Sequence, residues 1–151
     1  MSVSKNYNYT SIFVSVPRSG HHLMVNMLKE YYGDEFKYCE FYNKACCDSY
    51  PCSNPLVKIQ KHHDMDLKLK ILNNFRYVIG YRDFLKSTIS DFELFCRGDK
   101  LGVCDNEESW LMFSFSRLSY WKKFIHKWVL PYQSDSRFFF LRYEYTRANP
   151  Y

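Results

Sequence analysis

Ser11-Ile12-Phe13-Val14-Ser15-Val16-Pro17-Arg18-Ser19-Gly20-His21-His22 is the stretch on which the fold turns. Its first six residues are β-branched, aromatic or small, the composition of a buried strand. Pro17 to Gly20 breaks that run, since Pro removes a backbone donor and Gly frees the chain for a tight turn. From His21 to Tyr32, Leu23, Met24, Met27, Leu28 and Tyr31 recur at helical spacing, and Gly33 follows at the C-cap position. The unit is strand, turn, helix.

The same alternation continues downstream. Leu56 to Gln60 reads as a second strand that ends in Lys61-His62-His63, and Phe75 to Tyr81 as a third that ends in Arg82-Asp83. A helix is expected from about Leu85 to Phe95. A longer one spans Glu107 to Val129, with Leu111, Leu118, Trp121, Ile125 and Trp128 on one stripe and Pro131 as its stop. Arg137 to Arg142, with Phe138-Phe139-Phe140-Leu141 inside it, is the best central strand. The stretches from Tyr38 to Pro55 and from Gly98 to Asn106 read as loops. Strands alternating with helices predict an α/β fold: one domain over residues 1–151, with a central parallel sheet flanked by helices.

Composition narrows the function classes. A 46% hydrophobic and 25% charged chain is globular rather than disordered. Its formal charge of +5 favours anionic partners without choosing among them. No apolar run reaches the ~18 residues of a membrane helix, and Met1 to Thr10 lacks the apolar centre of a signal peptide. A soluble, cytoplasmic protein is the expectation. No dense basic stripe with interleaved rings predicts a nucleic-acid partner. Four of the six cysteines (Cys39, Cys46, Cys47, Cys52) cluster without C-x-x-C spacing, so free thiols, a local disulfide and a metal site all stay open. Asn8-Tyr9-Thr10 fits a glycosylation sequon.

Three polar groups fall at the carboxyl ends of predicted strands, where open parallel sheets collect ligands: Pro17 to His22, Lys61 to His63, and Arg82-Asp83. In the first, Gly20 permits close backbone approach, and the amides of Ser19 to His22 open a helix whose dipole suits phosphate. Ser19 adds a hydroxyl and Arg18 a forked cation. Read locally, the same residues also make an ordinary strand-to-helix turn capped by Ser19. The Walker pattern G-x-x-x-x-G-K-[ST] is absent, which disfavours a conventional ATPase or GTPase.

Pro17-Arg18-Ser19-Gly20-His21-His22 resembles the P-K-S-G-T-T or P-R-S-G-T-T turn of the sulfotransferases. That turn holds the 5′-phosphosulfate end of the donor 3′-phosphoadenosine 5′-phosphosulfate (PAPS; product PAP). Arg18 stands for the commoner Lys, and His21-His22 for Thr-Thr, which keeps the backbone amides and loses two hydroxyls. Tyr77 to Arg82 followed by Ser90 is similar to the family's strand, Arg and Ser that bind the 3′-phosphate, with the same eight-residue gap and Ser87 as the fallback hydroxyl. Arg82 paired with Asp83 or Asp91, and Ser90 facing water, is the alternative. Lys61-His62-His63 resembles the family's Lys-x-His, which implies His63 as base and Lys61 as the cation near the transferred group. His62 is the rival base, and Asp64 is either a partner for one of them or a helix cap. Trp121 to Trp128, Phe138 to Leu141, Tyr143-Glu144-Tyr145 and Asn149-Pro150 also fit in order.

The resemblance implies a three-layer P-loop-NTPase-like fold and a PAPS-dependent sulfuryl transfer, in line and without a metal, to a hydroxyl or amine of a small-molecule or glycan acceptor. Arg18 joins Lys61, His62 and His63 in the implied catalytic set. Pro17, Arg18, Ser19, Gly20, His21, His22, Arg82 and Ser90 form the donor site. The sequence given stops at Tyr151, before the family's later Arg-Lys-Gly segment. A relative that binds nucleotide or sulfated ligand without turnover is therefore the competing expectation. A nucleotide kinase would need the Walker Lys and acidic magnesium ligands.

Overall fold

β1 (Ser11–Ser15) is the centre of the molecule because both its faces carry bulk that must leave water. Ile12 and Val14, with Val16 just beyond, point to one side, and Phe13 to the other. The computed structural model describes residues 10–41, 46–98, 104 and 106–148. The sequon at Asn8, most of the loop from Gly98 and the Asn149-Pro150 pair lie outside them.

Around β1 run β2 (Tyr38–Glu40), β3 (Ile59–His62), β4 (Tyr77–Tyr81) and β5 (Phe138–Arg142), all parallel, in the order β2-β3-β1-β4-β5. The expected α/β class and flanked parallel sheet are thus present. α1 (His21–Tyr32) covers the Phe13 face with Met24 and Val25, beside Phe36 and Ile59. The opposite face takes Phe124, Trp128 and Val129 against Ile12, Val14, Tyr77, Ile79 and Phe138. Burying an aromatic such as Phe124 or Trp128 completely stabilises the fold by roughly 2 to 3 kcal/mol each.

α2 (Phe84–Cys96) starts where the Asp83 side chain accepts from the Lys86 amide, and α3 (Glu107–Phe124) where Asn106 accepts from the Ser109 amide. The two helices meet through Phe92, Phe95, Trp110 and Phe113. A disulfide joins Cys96 to Cys104. α4 (Tyr143–Ala148) follows β5 directly.

Four expectations need correction. Tyr38 to Glu40, read as loop, is the edge strand β2, paired to β3. The second strand is Ile59–His62 rather than Leu56 to Gln60, since Leu56 is largely exposed and Val57 packs among cysteines. The third begins at Tyr77, not Phe75. The long helix is α-helical only to Phe124, then widens into a π turn over Ile125–Val129 and tightens at Leu130–Tyr132. The π turn presents both Lys127 and Trp128 to the fully buried Asp64: Lys127 Nζ and Trp128 Nε1 donate to Asp64 Oδ2 at 2.7 and 2.8 Å. The Leu69 amide donates to Asp64 Oδ1, and Lys127 also donates to the carbonyls of Leu67 and Leu69. Asp64 therefore fastens the segment after β3 to the helical layer, and its carboxylate neither caps a helix nor orients a histidine.

Candidate functional site

Chain connections leave β1 toward β2 on one side and leave β4 toward β5 on the other, so the crevice between the ends of β1 and β4 is a switch point of the sheet. A cleft of about 500 Å³ opens there, a size suited to a small-molecule ligand. It is lined by Pro17, Arg18, Gly20, His21, His22, Lys61, His63, Arg82 and Ser90, together with Leu23, Asp91, Leu94 and Tyr143. Residues from three strand ends, far apart in sequence, thus share one cavity.

The β1–α1 turn is shaped by two left-handed residues, Arg18 at φ 62° and Gly20 at φ 81°. Gly20 is obligatory for a second reason. A Cβ there would stand 2.3 Å from Tyr143 Cδ2 and 2.7 Å from Cε2. The Ser19 amide donates to the Val16 carbonyl at 3.3 Å, closing the turn. Gly20 occupies the N-cap and no side chain caps α1, so the Ser19 cap is not formed. Among the described residues the buried Ser19 hydroxyl has no hydrogen-bond partner, and it borders a separate small pocket with Tyr143 and Thr146.

Arg18 Nε donates to Ser90 Oγ at 3.0 Å, and Arg82 Nη1 donates to the Arg18 carbonyl at 3.2 Å. The Arg82 guanidinium lies 4.4 Å from the Tyr143 ring centroid, and the Trp121 indole N–H donates to the Arg82 carbonyl. Neither nearby acid neutralises Arg82. Asp83 caps α2, and Asp91 Oδ2 sits 2.8 Å from Arg117 Nε. Among the described residues no carboxylate pairs with Arg82, and its Nε is a buried donor without a partner. Ser87, by contrast, donates to the Phe84 carbonyl within its own helix and lies outside the cleft.

The histidines separate. His63 Nδ1 is 2.7 Å from the Ser15 carbonyl oxygen, which only accepts, so the proton sits on Nδ1 and the basic lone pair on Nε2. Burial lowers the His63 pKa and favours the neutral ring, and that hydrogen bond works in the opposite direction. His62 Nδ1 instead accepts from the Asp64 amide at 2.8 Å, its ring meets Phe41 and Tyr50, and it does not line the cleft. His21 is buried, stacked on Phe13, and bonded through Nε2 to the Tyr38 hydroxyl at 2.7 Å. Burial, with Lys61, His63 and His22 nearby, pushes its pKa down to about 2, so His21 is a neutral ring at working pH. His22 is exposed at the cleft wall.

Lys61 occupies the β3 position beside Phe13 on one side and Glu40 on the other, and its Nζ donates to Glu40 Oε1 at 2.6 Å. That bond holds the Glu40 carboxyl below its usual range. Three supporting residues escaped the sequence reading: Tyr38 and Glu40, hidden in a stretch taken as loop, and Tyr143, whose only signal was its place in an aromatic-acidic triplet. No helix of the described residues is long and apolar enough to cross a membrane. Comparison with known proteins leaves the site to be judged on its own chemistry: no family model, no curated protein and no solved structure matches the chain.

Proposed function

We propose that this cleft binds 3′-phosphoadenosine 5′-phosphosulfate and that the protein is a sulfotransferase acting on a hydroxyl or amine. The observation that carries the reading is the convergence of Arg18, Arg82 and Ser90 at one crevice, where among the described residues Arg82 has no acidic partner and its Nε has none at all. Two cations and a helix N-terminus form a receptor for two anionic groups rather than one. The strand order, with the turn after β1 at its switch point, supports a P-loop-like reading of the fold.

In this reading the α1 amides and Arg18 hold the 5′ end of the donor, while Arg82 and Ser90 hold the 3′-phosphate. The bound donor supplies the sulfuryl group and a bisphosphate leaving group. His63 Nε2 takes the proton of the acceptor as its oxygen or nitrogen bonds to sulfur and the sulfur–phosphate oxygen bond breaks. Cations at the cleft wall balance the charge on the departing oxygen. The neutral, tautomer-fixed His63 suits a base; His62, turned to Asp64 and Phe41, does not.

Calorimetric titration with adenosine 3′,5′-bisphosphate, beside ATP-Mg, tests the donor site. Micromolar binding of the bisphosphate, weakened by ~2 kcal/mol or more in Arg82→Ala, is expected from the loss of a charged hydrogen-bond pair. Preference for ATP-Mg, or binding indifferent to Arg82, would refute it. One observation favours a second reading, nucleotide binding without transfer: Glu40 holds Lys61, the cation assigned to the transferred group, at 2.6 Å. A labelled-donor screen over acceptor classes separates the two. Tight product binding with no transfer to any acceptor selects the second.

A further inference from the structure

The four cysteines that the sequence leaves open are gathered at the sheet edge, away from the cleft. Cys39 lies on β2, and Cys46, Cys47 and Cys52 come from the segment that follows. Their four sulfurs all lie within 4.8 Å of one another. Cys47 Sγ is 3.2 Å from both Cys39 Sγ and Cys52 Sγ, and Cys46 Sγ is 3.9 Å from Cys52 Sγ. We propose that these four cysteines form a structural zinc site.

The distances favour a shared centre over bonded pairs. A zinc–sulfur bond of about 2.3 Å places tetrahedral sulfurs roughly 3.8 Å apart, and the observed separations bracket that value. A disulfide scheme would draw sulfurs together two by two, as Cys96 and Cys104 are joined elsewhere in the chain. Here one sulfur is equally close to two others, and a fourth completes the group.

The surroundings fit a ligand set. Gln60 is fully buried on β3, and its Nε2 lies 3.9 Å from Cys47 Sγ while donating to the Ser49 carbonyl. Its Oε1 accepts from the Cys52 amide at 2.8 Å. An amide donor on a ligand sulfur, itself oriented by the ligand loop, is the kind of outer contact that steadies a thiolate centre. Apart from these cysteines and the Gln60 bonds, the loop is tied down by Tyr50, whose hydroxyl donates to the Lys70 carbonyl and meets the Tyr77 hydroxyl. Residues 46–58 contain no helix or strand, and the hydrophobic cluster beneath them consists of these cysteines and Val57. Such a loop stays folded by a staple, not by a core of its own. Binding releases the thiol protons and leaves four thiolates around one dication, the all-sulfur tetrahedral set that selects zinc among divalent metals.

The test is metal analysis of the full chain, purified under mild reductant, by native mass spectrometry and elemental analysis. About one zinc per chain is expected. It should be lost in Cys47→Ser and retained in the Cys96→Ser/Cys104→Ser pair, which lies outside the cluster. Two further readings on the unmutated protein cover the case in which Cys47→Ser fails to fold. A chelator should release the zinc, make four additional cysteines alkylatable and lower the melting temperature, and cobalt(II) loaded in its place should show thiolate-to-metal charge-transfer absorption. Metal-free protein whose four cysteines alkylate at once, disulfides within the cluster, or iron in place of zinc would each overturn the proposal.

Discussion

Substituting Gly20 by Ala tests the geometry of the β1–α1 turn without reference to any ligand. Two costs arise from the structure. At φ 81° an L-residue meets its own carbonyl, worth about 1 to 2 kcal/mol. The new methyl would also stand 2.3 Å from Tyr143 Cδ2, and moving a packed ring costs about 1 to 3 kcal/mol more. Gly20→Ala should therefore destabilise by roughly 2 to 5 kcal/mol in urea unfolding. Tyr143→Ala alone removes the ring from Gly20 and Arg82, with its own cost. In the double variant the backbone strain stays and the collision is gone, so its loss should fall short of the sum of the singles by about 1 to 3 kcal/mol. Additivity within about 0.5 kcal/mol would refute the claim that Tyr143 closes over Gly20, and with it this description of the cleft wall.

Acid should destabilise the protein through His21. Its pKa is lowered from about 6.5 in the unfolded chain to about 2 when folded, so the unfolded chain binds the extra proton between those limits. Stability is then complete above pH 6.5 and falls by ~1.4 kcal/mol per unit below it. His21→Gln should flatten the slope of unfolding free energy between pH 6.5 and 5 by one proton's worth, and an unchanged slope would contradict the burial of a neutral ring. Lys127→Met should cost roughly 3 kcal/mol, because Asp64 keeps a buried charge and loses its cation. Adding Asp64→Asn should recover part of that loss, as denaturant midpoints would show. If the transfer reading holds, His63→Gln should abolish labelled-sulfuryl transfer while bisphosphate affinity stays within about threefold; equal losses in both would assign His63 to binding.

Where the sequence was legible, the pattern was local. The run of Ile12 to Val16 against the helical spacing of Leu23 to Tyr31 defines a buried strand feeding a helix, and the structure has both. Arg82 and Ser90 are read from one strand end and one helix, so their meeting with Arg18 follows once the strands are parallel. β2 was not legible, since three residues carry no period and Tyr38-Cys39-Glu40 is a strand only because β3 lies beside it. β3 was misplaced because Lys61 and His62, like Gln60 before them, are polar yet buried. Each is satisfied by a partner that only the fold supplies: Glu40, the Asp64 amide, and Ser49 with Cys52. The choice between His62 and His63 was likewise a matter of which ring meets the Ser15 carbonyl.

The edge strand gives the cleft a stability of its own, distinct from that of the domain. Tyr38 bonds His21 and Glu40 bonds Lys61, so two walls of the cavity depend on three residues paired to a single neighbour. Edge segments open more readily than the sheet around them. With the cysteine cluster stripped of metal, amide exchange at Cys39 and Glu40 should accordingly be faster than at Val14 or Ile79. A fluctuation that peels β2 away would free the Lys61 ammonium from its carboxylate while leaving Arg18, Arg82 and Ser90 in place. The Arg18–Arg82–Ser90 wall and the availability of the Lys61 cation would then vary independently, one set by the centre of the sheet and the other by its margin.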